Sequence, residues 1–399
     1  MNKTPKGCSN IGGKLAEKIE YCRNKAMELY AHYGYKPFSP AELQLVESVW
    51  ENISKTRARR FIPVMSPHGE ACVLRGDLTL SAVSYLSTHF SSNERPLRLS
   101  YADRVYSVPM APKSNLEENQ VGVELIGWES TGADIETAAL LLRTLDLMGI
   151  ENAVAVFGDV SVLSYILKDI PQEKADELID ALQTSCYTAY GDLLRDLDLD
   201  GDKKKLLEML PSLKGDISVI DKMTELSGNA EITAPLKTLC ESLAKLGYGE
   251  RIRVDFSFIR DLGYYSGPIY NVYSPETGTC FGGGGRYDGL LTKIGVEGEA
   301  CGFALNIKDL ASHCKEDYIK QDVMLWGGNC DAAELLAYAD ELAKKKISFE
   351  LSWTEDKEES QRIARLRGYR CWLDYGNKKV TELSTGKETD LGSFERNGL

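Results

Sequence analysis

Apolar side chains near the start of the chain recur every three or four residues. Between residues 11 and 33 they fall at Ile11, Leu15, Ile19, Cys22, Ala26 and Leu29. This spacing predicts an amphipathic helix. Two short strands are expected next, at residues 60–65 and 71–74, and a second helical period begins after Asp77. The region therefore mixes helices with strands.

Strict alternation of apolar and polar residues marks the segment QVGVELIGWE, which follows another predicted strand at residues 97–109. In a strand, the valines and leucine of this segment share one face. The opposite face carries Gln120, Gly122 and Glu124. Since glycine has no side chain, we expect room for a small polar ligand between the amide and the carboxylate.

The hydrophobic patterns in the rest of the sequence predict the domain boundaries. A helix at residues 132–149 and a strand at 153–157 precede leucine-rich helical segments, which predict an all-helical insertion at about 160–249. Strands resume at Ile252 and end near residue 315. After the polar link KEDYIKQ, residues 321–399 alternate as β-α-β-α-β. We predict an α+β domain at 1–315, with a mixed, mainly antiparallel sheet flanked by helices, and a small α/β domain at 321–399.

Composition narrows the functional classes. The 399 residues are 43% hydrophobic and 27% charged, as in globular proteins, and the net charge of −13 disfavours nucleic acid as the main ligand. The ten cysteines show no CxxC pair, which predicts reduced thiols. With no apolar run of membrane-spanning length, a cytoplasmic protein without membrane contact is expected.

Several familiar site motifs are incomplete. The four glycines at 282–285 lack the Lys-Ser/Thr of a phosphate loop, so they predict close backbone approach to a ligand or strand. The DLDLDG segment starts like a calcium loop, but Leu207 occupies the position that needs a bidentate glutamate. The four histidines are widely separated. We therefore predict no metal site, no cofactor and no catalytic triad.

One set of polar residues remains, and each member lies at a predicted strand end or on a strand face. The set comprises Asp77, Thr79, Gln120, Glu124, Arg260, Tyr264 and Tyr265. Together they offer carboxylates for an amine, an arginine for a carboxylate, and a carboxylate with a phenol for an imidazole. Taken singly, each is more often a structural polar group than a site residue, and Tyr265 is also compatible with a place in the core. As a group they predict a site for a histidine zwitterion.

The motifs that contain these residues resemble those of the histidyl-tRNA synthetase family of class II synthetases. LRGDLT is similar to its LRPE/D-x-T element, QVGVELIG to Q-x-G-x-E-x-x-G, and IRDLGYYSG to its histidine-binding signature. GGGGRYDGL matches GGRYDGL, while YGYKPFSPAEL and CGFALNIKDL resemble its first and third motifs. The resemblance spans nearly the whole chain. It implies a class II synthetase-like fold, a homodimer, and histidine contacts by the seven residues above.

The second and third motifs depart from that family. Ser107 stands where a synthetase has an arginine that grips the ATP phosphate, and Asp309 where an arginine stacks on adenine. The loop KSNLEEN replaces an arginine-containing loop. Losing such cations typically costs on the order of a hundredfold to a thousandfold in rate each. We therefore expect that synthetase activity is lost and that no catalytic residue is present.

A preserved amino-acid site without an ATP site resembles the regulatory subunit family of short-form ATP phosphoribosyltransferase. That resemblance implies a hetero-oligomer with a separate catalytic subunit, the first step of histidine biosynthesis, and feedback inhibition by histidine. The last domain then resembles a shortened anticodon-binding domain, and no tRNA binding is expected. Two alternatives stay open: an active histidine-tRNA ligase, and a free-standing histidine-binding sensor.

Overall fold

The computed structural model describes residues 4–50, 58–90, 94–108, 115–199, 201–260, 264–315 and 322–397. The chain forms two compact units, residues 1–316 and 317–399. Asp261 to Gly263 of the predicted histidine-binding signature, and Lys113 and Ser114 of the KSNLEEN loop, lie outside the described residues.

A nine-stranded sheet forms the centre of the first unit, in the order β1-β5-β6-β12-β11-β10-β7-β9-β8. Its strands are β1 (Lys36–Pro37), β5 (Leu97–Tyr106), β6 (Glu117–Ile126), β7 (Val154–Asp159), β8 (Lys214–Gly215), β9 (Ile252–Asp255), β10 (Pro268–Tyr273), β11 (Cys280–Arg286) and β12 (Ala300–Asn306). Only the pairs β1–β5 and β7–β9 are parallel. The predicted mixed, mainly antiparallel sheet is confirmed.

Helices flank this sheet, and polar caps fix where several of them begin. They are α1 (Gly13–His32), α2 (Val46–Trp50), α3 (Leu78–His89), α4 (Thr131–Leu147), α11 (Asp288–Lys293) and α12 (Ile307–His313). Asp77 caps α3 by accepting the backbone N–H of Leu80 at 2.8 Å, and Ser130 caps α4 in the same way. Helix α4 has an apolar run at its centre, residues 138–142, and is buried along most of its length. It anchors one side of the sheet by removing apolar surface from water.

Residues 160–248 are mostly helical, as the leucine pattern predicts. The helices are α5 (Val160–Leu167), α6 (Gln172–Gln183), α7 (Tyr187–Arg195), α8 (Gly201–Met209), α9 (Val219–Ser227) and α10 (Ala230–Leu243). The prediction of an all-helical segment is wrong at β8, which pairs with β9 at the edge of the large sheet. A strand of only two residues, Lys214 and Gly215, is too short to show a strand period in the sequence.

A smaller sheet of three antiparallel strands packs against α3. Its strands are β2 (Leu43–Leu45), β3 (Ile62–Met65) and β4 (Ala71–Leu74), with β4 in the middle. Gln44 reaches inward to Ser81 on α3, so its neighbours Leu43 and Leu45 point outward, and they are 43% and 44% exposed. Across this outer face the register aligns Leu43 with Leu74 and Ile62, and Leu45 with Cys72 and Val64. The face is entirely apolar.

The second unit is a five-stranded sheet in the order β14-β13-β15-β16-β17 with three helices. Its elements are β13 (Val323–Trp326), α13 (Ala332–Lys344), β14 (Phe349–Ser352), α14 (Lys357–Arg367), β15 (Cys371–Asp374), β16 (Lys379–Glu382), β17 (Glu388–Asp390) and α15 (Leu391–Asn397). The β-α-β-α-β order is confirmed, and its first three strands are parallel. The sequence pattern did not reveal β17 or α15.

Three findings on the described part of the chain concern disulfides, metal sites and membrane spans. All ten cysteines are free thiols. In the described ranges, no group of three or more potential metal ligands lies close together. None of the described helices is both long and apolar enough to cross a membrane.

Candidate functional site

A cavity of about 680 Å³ opens on the large sheet, between the start of α3 and the strands β10 and β11. Six of the seven residues predicted from the sequence line it: Asp77, Thr79, Gln120, Arg260, Tyr264 and Tyr265. Residues of the helical insertion, such as Gln183 and Tyr187, contribute to its rim. The fold therefore gathers side chains that lie far apart in the sequence.

The seventh residue, Glu124, lies behind the cavity wall and is fully buried. Its Oε1 atom accepts a hydrogen bond from the Thr79 hydroxyl at 2.6 Å and one from Tyr101 at 3.0 Å. Its Oε2 atom accepts a hydrogen bond from Tyr287. Thr79 and Tyr287 also line the cavity, so two of the hydroxyls that contact Glu124 lie in its wall.

Burial sets the protonation of this carboxyl. Loss of hydration raises the pKa of Glu124 to about 8, with the nearby Asp77 charge adding to the rise, although hydroxyls of Thr79, Tyr287 and Tyr101 oppose it. At neutral pH Glu124 therefore carries a proton. The pKa values of Tyr101 and Tyr287 also rise well above the ordinary value, because both phenols are buried and next to Glu124.

The strand of four glycines brings backbone unusually close to its neighbours. A Cβ atom on Gly284 would lie 1.9 Å from the carbonyl oxygen of Gly302 on β12. One on Gly283 would lie 2.0 Å from the Tyr270 carbonyl oxygen and 2.3 Å from the Arg260 guanidinium. The prediction of close backbone approach is confirmed, and Gly283 leaves the space that Arg260 occupies.

Arg260 is fixed from two sides. Its guanidinium donates to the Tyr270 carbonyl oxygen at 2.9 Å and to the side-chain oxygen of Asn271. The guanidinium carbon also lies 5.3 Å from the centre of the Tyr265 ring, a cation–π distance. An arginine held in this way can receive a ligand carboxylate without first losing much side-chain entropy.

Asp77 links the cap of α3 to the tyrosine pair. The Tyr264 hydroxyl donates to its Oδ2 atom at 3.2 Å, while Oδ1 caps the helix. The ring of Tyr264 packs 5.0 Å from Tyr265 and 6.0 Å from Tyr287. These contacts orient one carboxylate and three rings around the same part of the cavity.

The expected space for a ligand beside Gly122 is absent from the described structure. The predicted space for a ligand against Gly122 is filled, because a Cβ atom there would lie 2.8 Å from the Tyr101 hydroxyl and 2.1 Å from the Phe303 carbonyl oxygen. Tyr101 stands opposite Gly122 in the β5–β6 register. Strand alternation shows which residues share a face, but it does not show which neighbouring strand covers that face.

The sequence analysis did not single out Tyr101, Tyr287 or Asn271 as site residues. Tyr287 lies within the GGGGRYDGL motif, which was the one available signal for it. Tyr101 lies on the strand predicted at residues 97–109, and neither Tyr101 nor Asn271 has a distinguishing spacing in the sequence. Their importance comes from register, which pairs Tyr101 with Gly122 and Asn271 with Gly283.

The arginine of the GGGGRYDGL motif, Arg286, has a structural role. Arg286 forms an ion pair with Asp134 on α4, with a shortest N–O distance of 2.7 Å, and both side chains are nearly buried. Asp288 then accepts the backbone N–H of Ala300 at 2.8 Å. The motif thus ties β11 to α4 and β12, and places the Tyr287 hydroxyl on Glu124.

Ser107 and Asp309 both line the same cavity. Charged side chains in the described part of its wall are four carboxylates, Asp77, Glu118, Asp255 and Asp309, and two guanidiniums, Arg60 and Arg260. Burial raises the pKa of Asp309, although His313 and Lys308 oppose the shift. The wall is therefore net acidic, which does not complement a triphosphate.

The fold matches solved class II synthetases. A crystal structure described as histidyl-tRNA synthetase from Nostoc sp. PCC 7120 superposes with a TM-score of 0.81 at 16% identity, covering 99% of both chains. One described as an ATP phosphoribosyltransferase regulatory subunit/histidyl-tRNA synthetase from Bacillus halodurans gives 0.81 at 23% identity, covering 94% of this chain and 97% of that one. At such identities they show the fold alone. It is a class II synthetase-like fold.

Sequence comparisons define the family more closely. A family model described as histidyl-tRNA synthetase matches residues 7–310. The ATP phosphoribosyltransferase regulatory subunit of Bacillus subtilis (strain 168) is 28% identical over 350 residues, covering 86% of this chain and 89% of that protein. The same subunit of Burkholderia cenocepacia (strain HI2424) is 30% identical over 312 residues, covering 77% and 81%. The chain belongs to the histidyl-tRNA synthetase family and, within it, to the ATP phosphoribosyltransferase regulatory subunits.

Proposed function

We propose that this protein is the non-catalytic regulatory subunit of an ATP phosphoribosyltransferase, acting with a separate catalytic subunit in the first step of histidine biosynthesis. The observation that carries the proposal is similarity to regulatory subunits over most of the chain. The net acidic cavity wall agrees with it, since adenylation needs cations at the phosphates. The expected compartment is the cytoplasm.

Association with the catalytic subunit is the first requirement. Co-expression with a tagged catalytic subunit from the same genome, followed by affinity purification and size exclusion, should yield one complex with both chains. An untagged unrelated class II protein serves as the control. Separate elution of the two chains at micromolar concentration would contradict the assignment.

Histidine-tRNA ligase activity is the main alternative. The family match alone is compatible with it, but Ser107 and Asp309 occupy the positions of the two ATP-site arginines and give no positive charge there. We expect histidine-dependent ATP–pyrophosphate exchange at background and no retention of tRNA. Exchange at the rate of an authentic synthetase assayed in parallel would refute the loss of synthetase activity.

The cavity is proposed to bind histidine. Arg260 and Gln120 would receive the carboxylate, Asp77 and Thr79 the ammonium group, and Glu124 with Tyr264 the imidazole, with Tyr265 packing on Arg260. The fixed guanidinium and the Asp77–Tyr264 contact support this arrangement. Isothermal titration of histidine into the subunit and into the complex tests it. Absence of heat in both would refute the histidine site and the free-standing sensor alternative together.

A homodimer is proposed through the small three-stranded sheet. Its outer face is apolar, and exposed contiguous apolar surface of this kind is typical of interfaces. Leu45→Asp should convert the dimer to a monomer in light scattering. Leu336→Asp is a matched control, since Leu336 is 47% exposed and Leu45 44%. A wild-type monomer, or equal effects of the two substitutions, would contradict this interface.

A further inference from the structure

One amide side chain, that of Asn271 on β10, contacts the guanidinium of Arg260 in the cavity wall. Its Oδ1 atom accepts a hydrogen bond from the Nη1 atom of Arg260. The same nitrogen donates to the Tyr270 carbonyl oxygen at 2.9 Å. Both acceptors are neutral, so these two contacts fix the guanidinium without cancelling its positive charge.

The Asn271 amide is oriented from its other end. Its Nδ2 atom donates to the Tyr273 hydroxyl at 3.0 Å, which turns Oδ1 toward Arg260. Asn271 stands opposite Gly283 in the β10–β11 register. A Cβ atom on Gly283 would lie 2.4 Å from Asn271 Oδ1 and 2.3 Å from Arg260 Nη1. The amide and the guanidinium therefore meet in space that a glycine leaves open.

The charge of the cavity makes the neutrality of this amide important. The described part of the cavity wall carries four carboxylates and two guanidiniums, one of which belongs to Arg260. Such a wall repels a ligand carboxylate unless one cation stays available to it. An aspartate at position 271 would accept the same hydrogen bond, but it would also form an ion pair with Arg260 and place a further negative charge beside the ligand.

We propose that Asn271 is a positioning residue that makes the cavity selective for a ligand with a carboxylate. Its neutral oxygen fixes Arg260 and leaves the positive charge of the guanidinium to the ligand. The proposal rests on the proposed histidine site and adds to it a residue that acts through Arg260. The property that Asn271 controls is therefore the response of the site to the charge of the ligand.

Two probes separate the carboxylate from the rest of the ligand. Histidine carries the carboxylate, whereas histidinol has a neutral hydroxymethyl group in its place and keeps the amine and the imidazole. Both are titrated by calorimetry at neutral pH into the full-length wild type and into Asn271→Asp. Histidine affinity should fall about tenfold to a hundredfold in the variant, the range expected for one charge-assisted hydrogen bond. Histidinol affinity should stay nearly unchanged.

A matched control is Asn119→Asp. Asn119 on β6 also accepts a hydrogen bond from an arginine, Arg104, at 3.3 Å, but it lines a different cavity. The control adds the same net charge and should leave the affinity for both probes unchanged. Equal losses of histidine affinity in Asn119→Asp and Asn271→Asp would show a general charge effect and overturn the proposal.

Asn271→Ala removes the acceptor without adding charge. Histidine should lose more affinity than histidinol in this variant, but less than in Asn271→Asp. A loss in Asn271→Ala as large as that in Asn271→Asp would mean that the charge at this position has no effect, and equal losses of the two probes would mean that Arg260 is not the group affected. Either result would overturn the proposal, and thermal melts show whether each variant is folded.

The histidine site and the role of Asn271 can fail separately. No heat from histidine with the wild type would refute both. Histidine binding that is unchanged in Asn271→Asp, or weakened there to the same extent as histidinol binding, would leave the site intact and refute only the role of Asn271.

Discussion

Glutamine at position 124 should flatten the pH dependence of the free energy of unfolding. Burial raises the pKa of Glu124 from 4.5 to about 8. A carboxyl with a higher pKa in the folded state stabilises the fold fully below the unfolded value, and the stabilisation is lost as the pH rises through the folded value. The slope is about 1.4 kcal/mol per pH unit, so about 4 kcal/mol should be lost between pH 5 and pH 8. Glutamine cannot ionise, and its contribution stays constant.

Urea unfolding followed by circular dichroism at half-unit pH steps measures this difference. The wild-type curve should fall relative to Glu124→Gln from pH 5 to pH 8, and the variant should become the more stable protein at the upper end. Asp159→Asn is the control, since burial raises the pKa of Asp159 only to about 6, which confines its effect to lower pH. Equal slopes for wild type and Glu124→Gln between pH 6 and pH 8 would refute the reasoning.

Three further predictions concern the framework and the cavity. Gly284→Ala places a Cβ atom 1.9 Å from a carbonyl oxygen of the adjacent strand and should lower the free energy of unfolding by about 1–3 kcal/mol. In the control Gly191→Ala the new Cβ meets no atom within 4 Å, so thermal melts should show a neutral or stabilising effect. Arg286→Met leaves its aspartate partner buried without a counterion, so the free energy of unfolding in urea should fall by about 3–5 kcal/mol. The control Arg23→Met removes a half-exposed ion pair and should lower it by under about 1 kcal/mol. Arg260→Lys replaces a planar guanidinium, held by two hydrogen bonds from its Nη1 atom, and should weaken histidine binding about tenfold to a hundredfold by calorimetry, with the melting temperature nearly unchanged. Equal losses in either matched pair, or unchanged histidine affinity, would contradict the corresponding role.

Local patterns predicted most of the secondary structure because the elements concerned bury one regular face. The helix predicted at residues 11–33 is observed as Gly13–His32, and the strand predicted at residues 71–74 is observed as Ala71–Leu74. The two-residue strand Lys214–Gly215 and the three-residue strand Glu388–Asp390 were missed. Such short strands form through pairing with a neighbour, and pairing leaves no period in the sequence.

The site was predictable as a set of residues but not as an arrangement. Motif resemblance brought together the seven residues, and six of them line one cavity. The burial of Glu124 was not predictable, since it depends on Tyr101 from the neighbouring strand and Tyr287 from beyond β11. Their positions follow from sheet register and from the close packing that Gly302 allows, where a Cβ atom would lie 2.1 Å from Glu124 Oε2.

The acidic cavity wall bears on how an amino-acid site and a nucleotide site can be separated within this fold. The proposed amino-acid site needs a few fixed donors and acceptors, such as the Arg260 guanidinium and the Asp77 carboxylate in the described part of the cavity wall. A nucleotide site needs concentrated positive charge at the phosphates. The two requirements use different residues, so one can be lost while the other persists.

The most direct test of the central claim is the rate of phosphoribosyl transfer to ATP by the catalytic subunit, measured alone and with equimolar amounts of this protein. The proposed function predicts a large gain in rate that saturates at a fixed ratio of the two chains, and a loss of that gain when histidine is added. A catalytic subunit whose rate is the same with and without this protein would contradict it.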